Sequence, residues 1–374
     1  MGISSAELAN DINNWAVLKQ FLPRGWEEQA RLCGAIKRAR GVSGAEALLR
    51  TMLIHLANGC SLAETSVRAK RAGLCKMSSV ALFKRLRAAE GWFRWLAQQL
   101  RGFDLMPPVG QQRRLRAVDA TTVSEPGSTG TDWRIHYSVN LGDLQCDFFE
   151  LTDVKGGETL RRVPIKPHDI IMGDRLYATP PGVAHVLDAG GDIVVRANRQ
   201  SLPLFDEKGA RLNILEMIRG LKPNQIREWP AWVRHPDGRL LKGRLVVVKR
   251  SIAATHLERK RLMRRANRKQ TIVSKQSLEA AQYFMVWTSL TEDFKASIIL
   301  DSYRLRWQIE LVFKRMKSIM GLGHLPKADP ISCQAWLHGK LFVALLVERM
   351  IGAANSFSPW GYRLETAPKP LEGI

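Results

Sequence analysis

Four polar side chains share one helical face near the C-terminal end of the sequence. Tyr303, Arg306, Glu310 and Lys317 lie in the stretch YRLRWQIELVFKRMKSIMG, which its apolar spacing predicts as one helix over 303–321. At about 100° per residue these side chains fall within an arc of roughly 60°. One carboxylate among basic and phenolic groups could hold a metal ion beside phosphates, although solvated charges on a surface helix would give the same pattern. The predicted apolar face of the helix comprises Leu305, Ile309, Val312, Phe313, Met316, Ile319 and Met320.

Two further carboxylates follow short apolar runs that are typical of buried strands. RLRAVDAT ends its apolar run on Asp119, and HDIIMGDRLYA places Asp174 directly after another. An acid at a strand end is often only a turn or cap residue. With Glu310, however, these acids would supply three hard oxygen ligands at one sheet edge, which suits Mg²⁺. Two such ions about 3.5–4 Å apart can activate a water or a 3′-hydroxyl and stabilise the leaving oxygen.

The segments around these acids alternate between strand and helix patterns. WRIHYSVNL and QCDFFELTDV alternate as a hairpin or meander does, and PPGVAHVLDAGG predicts a helix closed by Gly. DIVVRANR predicts one more buried strand. The order is therefore three strands, then strand, helix, strand, which indicates an α/β fold.

The N-terminal part of the chain has helical periodicity instead. SLAETSVRAKRAGL and SSVALFKRLRAAE predict two helices joined by a Gly-containing turn, with Ser61 and Ser78 as N-caps. Small helical bundles contain such pairs, so a helix-turn-helix is one of two interpretations left open. In a helix-turn-helix, the second helix would offer DNA three cations, Lys84, Arg85 and Arg87.

Composition favours a polyanionic partner. The 374 residues include 57 Lys and Arg against 35 Asp and Glu, a net charge of +22, yet 45% of residues are apolar, so the chain should fold. The longest unbroken apolar run, LFVALLV, is far shorter than the about 20 residues that span a membrane. No signal peptide, P-loop, G-x-G-x-x-G or C-x-x-C pattern is found, and five scattered cysteines indicate a reducing cytoplasm.

The spacing Tyr303-(2)-Arg306-(3)-Glu310-(6)-Lys317 resembles the Tyr-Arg-Glu-Lys signature of a large family of bacterial insertion-sequence transposases. VDATT and MGDRLY resemble the family's motifs around its first and second acids. These enzymes are DDE transposases with a ribonuclease-H-like catalytic core, and the resemblance covers about residues 110 to 320. It implies that Asp119, Asp174 and Glu310 are the catalytic, metal-binding triad. It also implies that Tyr303, Arg306 and Lys317 hold the transposon-end DNA backbone near the scissile phosphate.

The resemblance implies an α/β fold with a β-rich insertion and an all-helical N-terminal DNA-binding domain. The expected division is 1–105 helical domain, 106–198 first part of the core, 199–290 insertion, 291–355 second part of the core, and 356–374 C-terminal tail. In the insertion, the segment 249–269 is either a solvated basic helix or a DNA-backbone contact. In relatives an aromatic residue near its end stacks on a flipped base. The candidates here are Phe284 and Trp287.

The resulting expectation is a transposase that binds terminal inverted repeats and catalyses metal-dependent strand cleavage and strand transfer, with a hairpin intermediate implied by the family. Two Mg²⁺ ions per site are expected, with Mn²⁺ as a substitute. The expected partners are double-stranded DNA, as transposon ends and as target, and a second copy in a synaptic complex, but no membrane. The expected location is the bacterial cytoplasm, at the nucleoid. A ribonuclease-H-like metal nuclease without strand transfer and a non-catalytic DNA-binding repressor are the alternatives.

Overall fold

The N-terminal block is helical, as predicted. The computed structural model describes residues 15–38, 41–102, 113–326 and 328–356, so most of the predicted linker DLMPPVGQQRR and the tail 357–374 lie outside the described residues. The hydroxyls of Ser61 and Ser78 accept hydrogen bonds from the amides of Glu64 and Ala81, which confirms both N-caps. The helices are α1 (Trp26–Leu32), α2 (Ala45–Leu56), α3 (Leu62–Arg71), α4 (Ser79–Ala88) and α5 (Glu90–Leu100).

A mixed sheet forms the centre of the molecule. Three antiparallel strands come first, and two later strands run parallel to the first of them on its other side, in the order β3-β2-β1-β4-β5. A helix, α6 (Pro180–Asp188), connects the two parallel strands. This arrangement fits a ribonuclease-H-like core. The strands are β1 (Arg114–Val123), β2 (Trp133–Asn140), β3 (Cys146–Asp153), β4 (Asp169–Gly173) and β5 (Asp192–Arg196).

The predicted insertion adds strands to this sheet and also forms a small sheet of its own. Three of its strands continue the order beyond β5 as β11-β10-β7, and three short strands form a separate sheet, β6-β8-β9. The basic segment folds as a 17-residue helix between β10 and β11. The elements are β6 (Leu204–Phe205), α7 (Ile214–Ile218), β7 (Ile226–Pro230), β8 (Trp232–Arg234), β9 (Leu240–Leu241), β10 (Arg244–Lys249), α8 (Ile252–Arg268), α9 (Lys275–Ala280) and β11 (Tyr283–Thr288).

The prediction of one helix over 303–321 is wrong. The chain forms α10 (Ala296–Arg304) and α11 (Trp307–Ser318), separated by a turn at Leu305 and Arg306. In that turn the amide of Leu305 donates to the carbonyl of Ser302, and that of Arg306 to Tyr303, three residues back. Tyr303 is fixed by contacts with the sheet, whereas α11 is aimed at β1. The side chains of Leu305, in this turn, and of Ile319, directly after α11, are exposed instead of joining the apolar face.

One hydrophobic core joins the helical block to the central sheet. Buried residues of α1 to α5 are continuous with those on one face of β1 to β3, with α11 and with a closing helix, α12 (Pro330–Ser356). The predicted closing core helix is confirmed. By length and composition α12 could cross a membrane, but 78% of its most apolar window is buried inside the protein, which is typical of a core helix.

A buried ion network fixes the beginning of β1. The guanidinium of Arg114 forms a bidentate pair with Asp169, with distances of 2.8 and 2.9 Å. Arg116 forms another with Asp147 at 2.6 and 2.9 Å, and also donates to Asp169 at 2.8 Å. Four charged groups thus cancel one another in the interior, and they tie β1 to β3 and β4.

Candidate active site

Asp119 and Asp174 lie next to each other in the register of the sheet. Val118 of β1 pairs with Gly173, the last residue of β4, so each acid is the residue that follows this pair. The position of Asp174 after its strand is confirmed. The prediction that Asp119 ends its strand is wrong, because antiparallel pairing with β2 carries β1 on to Val123. The edge at which the acids meet is therefore the end of β4 and not that of β1.

One guanidinium connects the first acid to the third. Arg306 lies 3.3 Å from Asp119, between Nη1 and Oδ2, and 2.6 Å from Glu310, between Nη2 and Oε1. Because Arg306 stands at the N-terminal end of α11, it reaches back to the sheet while Glu310 lies one helical turn further along. The side chains of Asp119 and Glu310 are therefore linked through one guanidinium group.

The environment of Asp119 disfavours its charge. Burial is the largest effect, and it raises the pKa of this carboxyl to about 7. The amide of Ala120 opposes this by donating to Oδ1 at 2.8 Å. Among nearby charges, Asp174 and Glu158 raise the pKa, and Arg306 lowers it. Acidic groups therefore outweigh the one cation that contacts Asp119.

The donor set fits a divalent cation in its chemistry. Carboxylate oxygens are the ligands that Mg²⁺ and Mn²⁺ prefer, and a buried excess of acid is relieved by added positive charge. In the described part of the chain, no group of three or more acidic, His or Cys side chains is close enough to hold one ion. Arg306 lies between Asp119 and Glu310 and supplies the positive charge in this conformation.

Tyr303 and Lys317, the other residues of the spaced set, lie in different environments. Tyr303 is buried, and its hydroxyl donates to the carbonyl of Gly173 at 3.1 Å, directly before Asp174. Burial raises the pKa of this phenol to about 12. Lys317 is exposed on α11. Of the four residues, Tyr303 thus makes a buried contact with the sheet. Arg306 and Glu310 form an ion pair, and Lys317 is an exposed cation.

Comparison with known proteins places these observations in a family. A model described as the transposase DDE domain matches residues 151–346. The putative transposase InsL of insertion sequence element IS186A, from Escherichia coli K12, is 33% identical over 356 residues, 93% of this chain and 96% of the relative. The transposase of insertion sequence element IS421, also from Escherichia coli, is 32% identical over 357 residues, with the same coverage. The chain belongs to the DDE transposase family.

The two aromatic candidates of the transposase lie on opposite faces of β11. Trp287 is fully buried, and its indole Nε1 donates to the carbonyl of Ala231 at 3.0 Å. It is therefore not accessible to a base in this conformation. Phe284 is only partly buried and lies three residues away, so it is on the other face. The alternation of side chains along a strand is a sequence signal that separates these two residues.

Phe284 lies in a surface of aromatic and guanidinium groups beside the acids. Its ring centroid is 5.5 Å from that of Tyr303, and the guanidinium carbons of Arg196 and Arg250 each lie 5.6 Å from it. On the other side of Tyr303, Arg306 lies 5.8 Å from that ring. Contacts between aromatic rings and guanidinium groups thus lead away from the candidate acids. Sequence reasoning missed Arg196, because β5 has no signal that distinguishes it.

The basic helix α8 of the transposase continues this surface. Its residues are partly or fully exposed except for Ala266, and Glu258 pairs with Arg196 at 3.2 Å. Burial lowers the pKa of Arg175, and three neighbouring guanidinium groups add to the effect. Those groups belong to Arg196, Arg199 and Arg265. The exposed cations of α8 are Arg259, Lys260, Arg261, Arg264, Arg265 and Arg268.

The three cations predicted on α4 differ in their exposure and in their contacts within the protein. Lys84 is exposed. Arg85 donates to the carbonyls of Ala35 and Arg38, at 3.1 and 2.6 Å, inside the helical block. Arg87 lies 3.5 Å from Asp329 and stacks over Phe83. Of the three, Lys84 extends into solvent, and the two arginines hold α4 in place.

Proposed function

We propose that this transposase cuts the ends of its own insertion sequence and joins them to target DNA, with Asp119, Asp174 and Glu310 as the carboxylates of the catalytic centre. The observation that supports the proposal is that one guanidinium pairs with both Asp119 of β1 and Glu310 of α11, beside the end of β4. That guanidinium belongs to Arg306, and Asp174 stands next in register to Asp119. The signature spacing supports membership of the Tyr-Arg-Glu-Lys subfamily.

DDE transposase domains generally use divalent metals, and the acids here suit Mg²⁺, with Mn²⁺ as a substitute. Two bound ions would activate the attacking water or 3′-hydroxyl and stabilise the leaving oxygen. Asp119, Asp174 and Glu310 would hold them. Before they do so, Asp119 and Glu310 must exchange the guanidinium of Arg306 for the cations.

The remaining residues of the signature would orient the substrate and the acids. A phosphate of the DNA backbone offers Arg306 an alternative anionic partner, so DNA binding would draw its guanidinium away from the carboxylates. Lys317, exposed on the same helix, would contact the backbone further along. The hydroxyl of Tyr303 holds the carbonyl before Asp174 and would therefore position that acid.

The basic surface would carry the DNA that leads to the cut. Exposed cations along α8 neutralise phosphates and release counterions, which gives affinity without sequence preference. Phe284, between two guanidinium groups and next to Tyr303, is the better placed of the two candidates for stacking on an unpaired base. Trp287 could take this role only after leaving the core.

Sequence recognition of the ends would come from α3 and α4 as a helix-turn-helix, with Lys84 towards the DNA. Because the helical block shares its core with the catalytic sheet, this is best tested in the full chain. Lys84→Ala should reduce the preference for the element's own ends over random duplex. Lys70→Ala, an exposed cation on α3, is the matched control. Equal losses in both variants would assign recognition elsewhere.

The chemistry proposed is a nick that frees a 3′-hydroxyl, followed by its attack on a second phosphodiester. By resemblance, that attack first forms a hairpin on the transposon end, and two copies meet in a synaptic complex. A metal nuclease would stop after the nick, and a repressor would not cut at all. The products of the reaction therefore distinguish the three functions.

The deciding experiment follows a labelled duplex carrying the inverted repeat that flanks the gene. Wild-type protein should nick it with Mg²⁺ and then give hairpin and strand-transfer products, but not with EDTA. Glu310→Gln preserves size and removes the charge, so nicking should be lost while DNA binding persists. Asp301→Asn, at an exposed position of α10, should cleave normally. Near wild-type cleavage by Glu310→Gln would contradict the proposed role of this acid.

A further inference from the structure

The turn between α8 and α9 carries an isoleucine that lies almost fully outside the protein. Ile272 is 99% exposed. The next residue, Val273, is only partly exposed, so two neighbouring β-branched side chains have different surroundings. Single exposed apolar residues are common on protein surfaces, and exposure alone therefore assigns no role. The shape and the charge of the surrounding segment distinguish Ile272 from such residues.

The end of α8 fixes the chain on one side of Ile272. Gln270 has a φ of 51°, in the left-handed region that favours glycine. Its amide donates to the carbonyl of Asn267 at 3.2 Å, and the amide of Thr271 donates to the carbonyl of Ala266 at 3.0 Å. These bonds close the helix around a left-handed residue, as in a Schellman-type cap. Ala266 is the buried residue of α8, so the cap is anchored to the body of the insertion.

The beginning of α9 fixes the chain on the other side. The hydroxyl of Ser274 accepts a hydrogen bond from the amide of Ser277, which caps the N-terminus of α9. The two helices are also tied to each other, because the guanidinium of Arg259 donates to the carbonyl of Leu278 at 3.2 Å. The turn that joins them is therefore held at both ends, and it presents Ile272 to solvent in one position.

Four exposed cations flank this turn. The nearest acids along the chain, Glu258 and Glu279, are each paired with an arginine. An apolar side chain in the middle of a positive surface suits a partner with anions outside and an apolar interior. Duplex DNA has this construction, with phosphates along its edges and stacked bases between them. The flanking cations are Arg265, Arg268, Lys269 and Lys275.

We propose that Ile272 is an apolar wedge that enters DNA between two base pairs, while the cations on either side of the turn bind the flanking phosphates. Proteins that kink DNA use this arrangement, in which side chains such as isoleucine partly unstack a base step. The inference rests on the proposed function, because it names what the insertion does to the DNA that the transposase holds. It goes beyond phosphate contacts, since it gives the insertion a means of deforming the duplex.

The wedge lies away from the candidate acids. The ion pair of Glu258 with Arg196 joins α8 to β5, and Arg196 in turn lies against the ring of Phe284. Arg268, at the end of α8, follows Glu258 by ten residues. At 1.5 Å per residue this is about 15 Å along the helix. Ile272 would therefore deform the duplex beside the cut, and not the base that stacks on Phe284.

Bending of a duplex by the full chain, without metal ion, tests the wedge. Energy transfer between dyes on the two ends of the duplex should report a kink with the wild type. Ile272→Ser should lose most of that kink, and Ile272→Leu, which stays apolar, should keep it. The salt dependence of the affinity should be the same in all three proteins, because the phosphate contacts remain.

A second measurement uses duplexes with one mismatched pair, placed at successive positions in a series. The wild type should bind one of them about ten-fold more tightly than the paired duplex, because the cost of unstacking is already met there. Ile272→Ser should bind every duplex of the series alike. Ile252→Ser is the matched control, since Ile252 is 84% exposed at the first residue of the same helix, outside the capped turn. It should behave as the wild type does.

Two duplex sequences show which DNA is deformed. A kink in the terminal repeat alone assigns the wedge to the transposon end, and a kink in an unrelated duplex as well assigns it to any DNA, target DNA included. The absence of a kink with the wild type would overturn the inference, as would an unchanged kink in Ile272→Ser or an equal loss in Ile252→Ser. A weaker salt dependence in Ile272→Ser would do so too, because the loss would then come from phosphate contacts.

These outcomes are separate from those of the proposed function. If the wedge were overturned in any of these ways, Mg²⁺-dependent nicking of the terminal repeat by the wild type would still support the catalytic centre. A wild-type chain that bound no DNA at all would overturn both.

Discussion

Two groups of charges lie on β1, three residues apart, and they are organised differently. Around Arg114 and Arg116, two guanidinium groups meet two carboxylates in bidentate pairs. Around Asp119, the neighbouring acids Asp174 and Glu158 raise the pKa of the carboxyl, while Arg306 contacts Asp119 and Arg134 pairs with Glu158. The first group is balanced within the protein, whereas the second is not.

The difference distinguishes a structural network from a functional one. A buried pair with complete hydrogen bonding is self-sufficient, and it fails when one partner is removed. An excess of one sign is destabilising on its own, so its retention in a buried cleft points to a ligand of opposite charge. Both groups on β1 are charged. The group at Arg114 and Arg116 has equal numbers of acids and bases, and the group at Asp119 has more acids than bases.

The largest expected effect is the loss of cleavage in Asp119→Asn. A metal ion contributes several kcal/mol to stabilising the transition state, so removing this ligand should slow nicking by about 10³-fold or more. The melting temperature should stay the same or rise, because a disfavoured buried charge is gone. Nicking assays and thermal melts on one preparation measure both. A variant that cleaved normally, or unfolded, would remove the distinction between the two groups.

The opposite result is expected for Asp169→Asn. Removing the charge of one partner in a buried ion pair typically costs about 3–5 kcal/mol. The free energy of unfolding should therefore fall by that amount in urea titrations. Once folded, the variant should retain Mn²⁺ affinity. Glu279→Gln is the control, because its pair with Arg219 is exposed and should contribute little. Unchanged stability in Asp169→Asn would show that the network is not needed for folding.

A smaller effect is expected for Arg306→Ala, measured as Mn²⁺ affinity without DNA. Arg306 neutralises Asp119 and Glu310 in this conformation, so its removal should tighten Mn²⁺ binding several-fold. Affinity for end duplex should fall, because a phosphate contact is lost. Lys317→Ala removes an exposed cation of the same helix and should change DNA binding alone. Weaker Mn²⁺ binding in Arg306→Ala would mean that Arg306 organises the acids and does not compete for them.

Local patterns predicted the elements better than the contacts between them. The strands around Asp119 and Asp174 follow from short apolar runs, and α12 follows from its length and apolar composition. The break at Leu305 could not be predicted, because helical periodicity continues through it and the contact of Tyr303 with Gly173 beside the break is not visible in the sequence. That contact joins positions 130 residues apart.

The candidate site shows the same limit. Spacing identified Asp119, Asp174 and Glu310 as candidates, but not that Arg306 bridges two of them. Charge balance is a property of three-dimensional neighbours and is therefore visible only after folding.

Glu348 on α12 is a second buried acid with a raised pKa, and it tests whether such a group must belong to a functional site. Its carboxylate accepts hydrogen bonds from the hydroxyl of Tyr137 at 3.1 Å and from the amide of Cys146 at 3.4 Å. Burial raises its pKa to about 7, and Arg315 and Asp143 act in opposite directions with smaller effects. Unlike Asp119, which forms an ion pair with Arg306, Glu348 is held by two hydrogen bonds from neighbouring strands. We therefore expect a structural role.

The smallest predicted effect is on the pH dependence of stability in Glu348→Gln. A carboxyl whose pKa is raised in the folded state holds its proton more tightly there, so its contribution is complete below its unfolded pKa of about 4.3. That contribution is lost as the pH rises towards 7. Glutamine cannot ionise and its amide oxygen still accepts from Tyr137, so the fall in melting temperature between pH 5 and pH 8 should be smaller than in the wild type. Cleavage at pH 8 should be retained. If Glu348→Gln kept its stability profile and lost cleavage, this acid would belong with Asp119, and charge imbalance would mark function wherever it occurs in this fold.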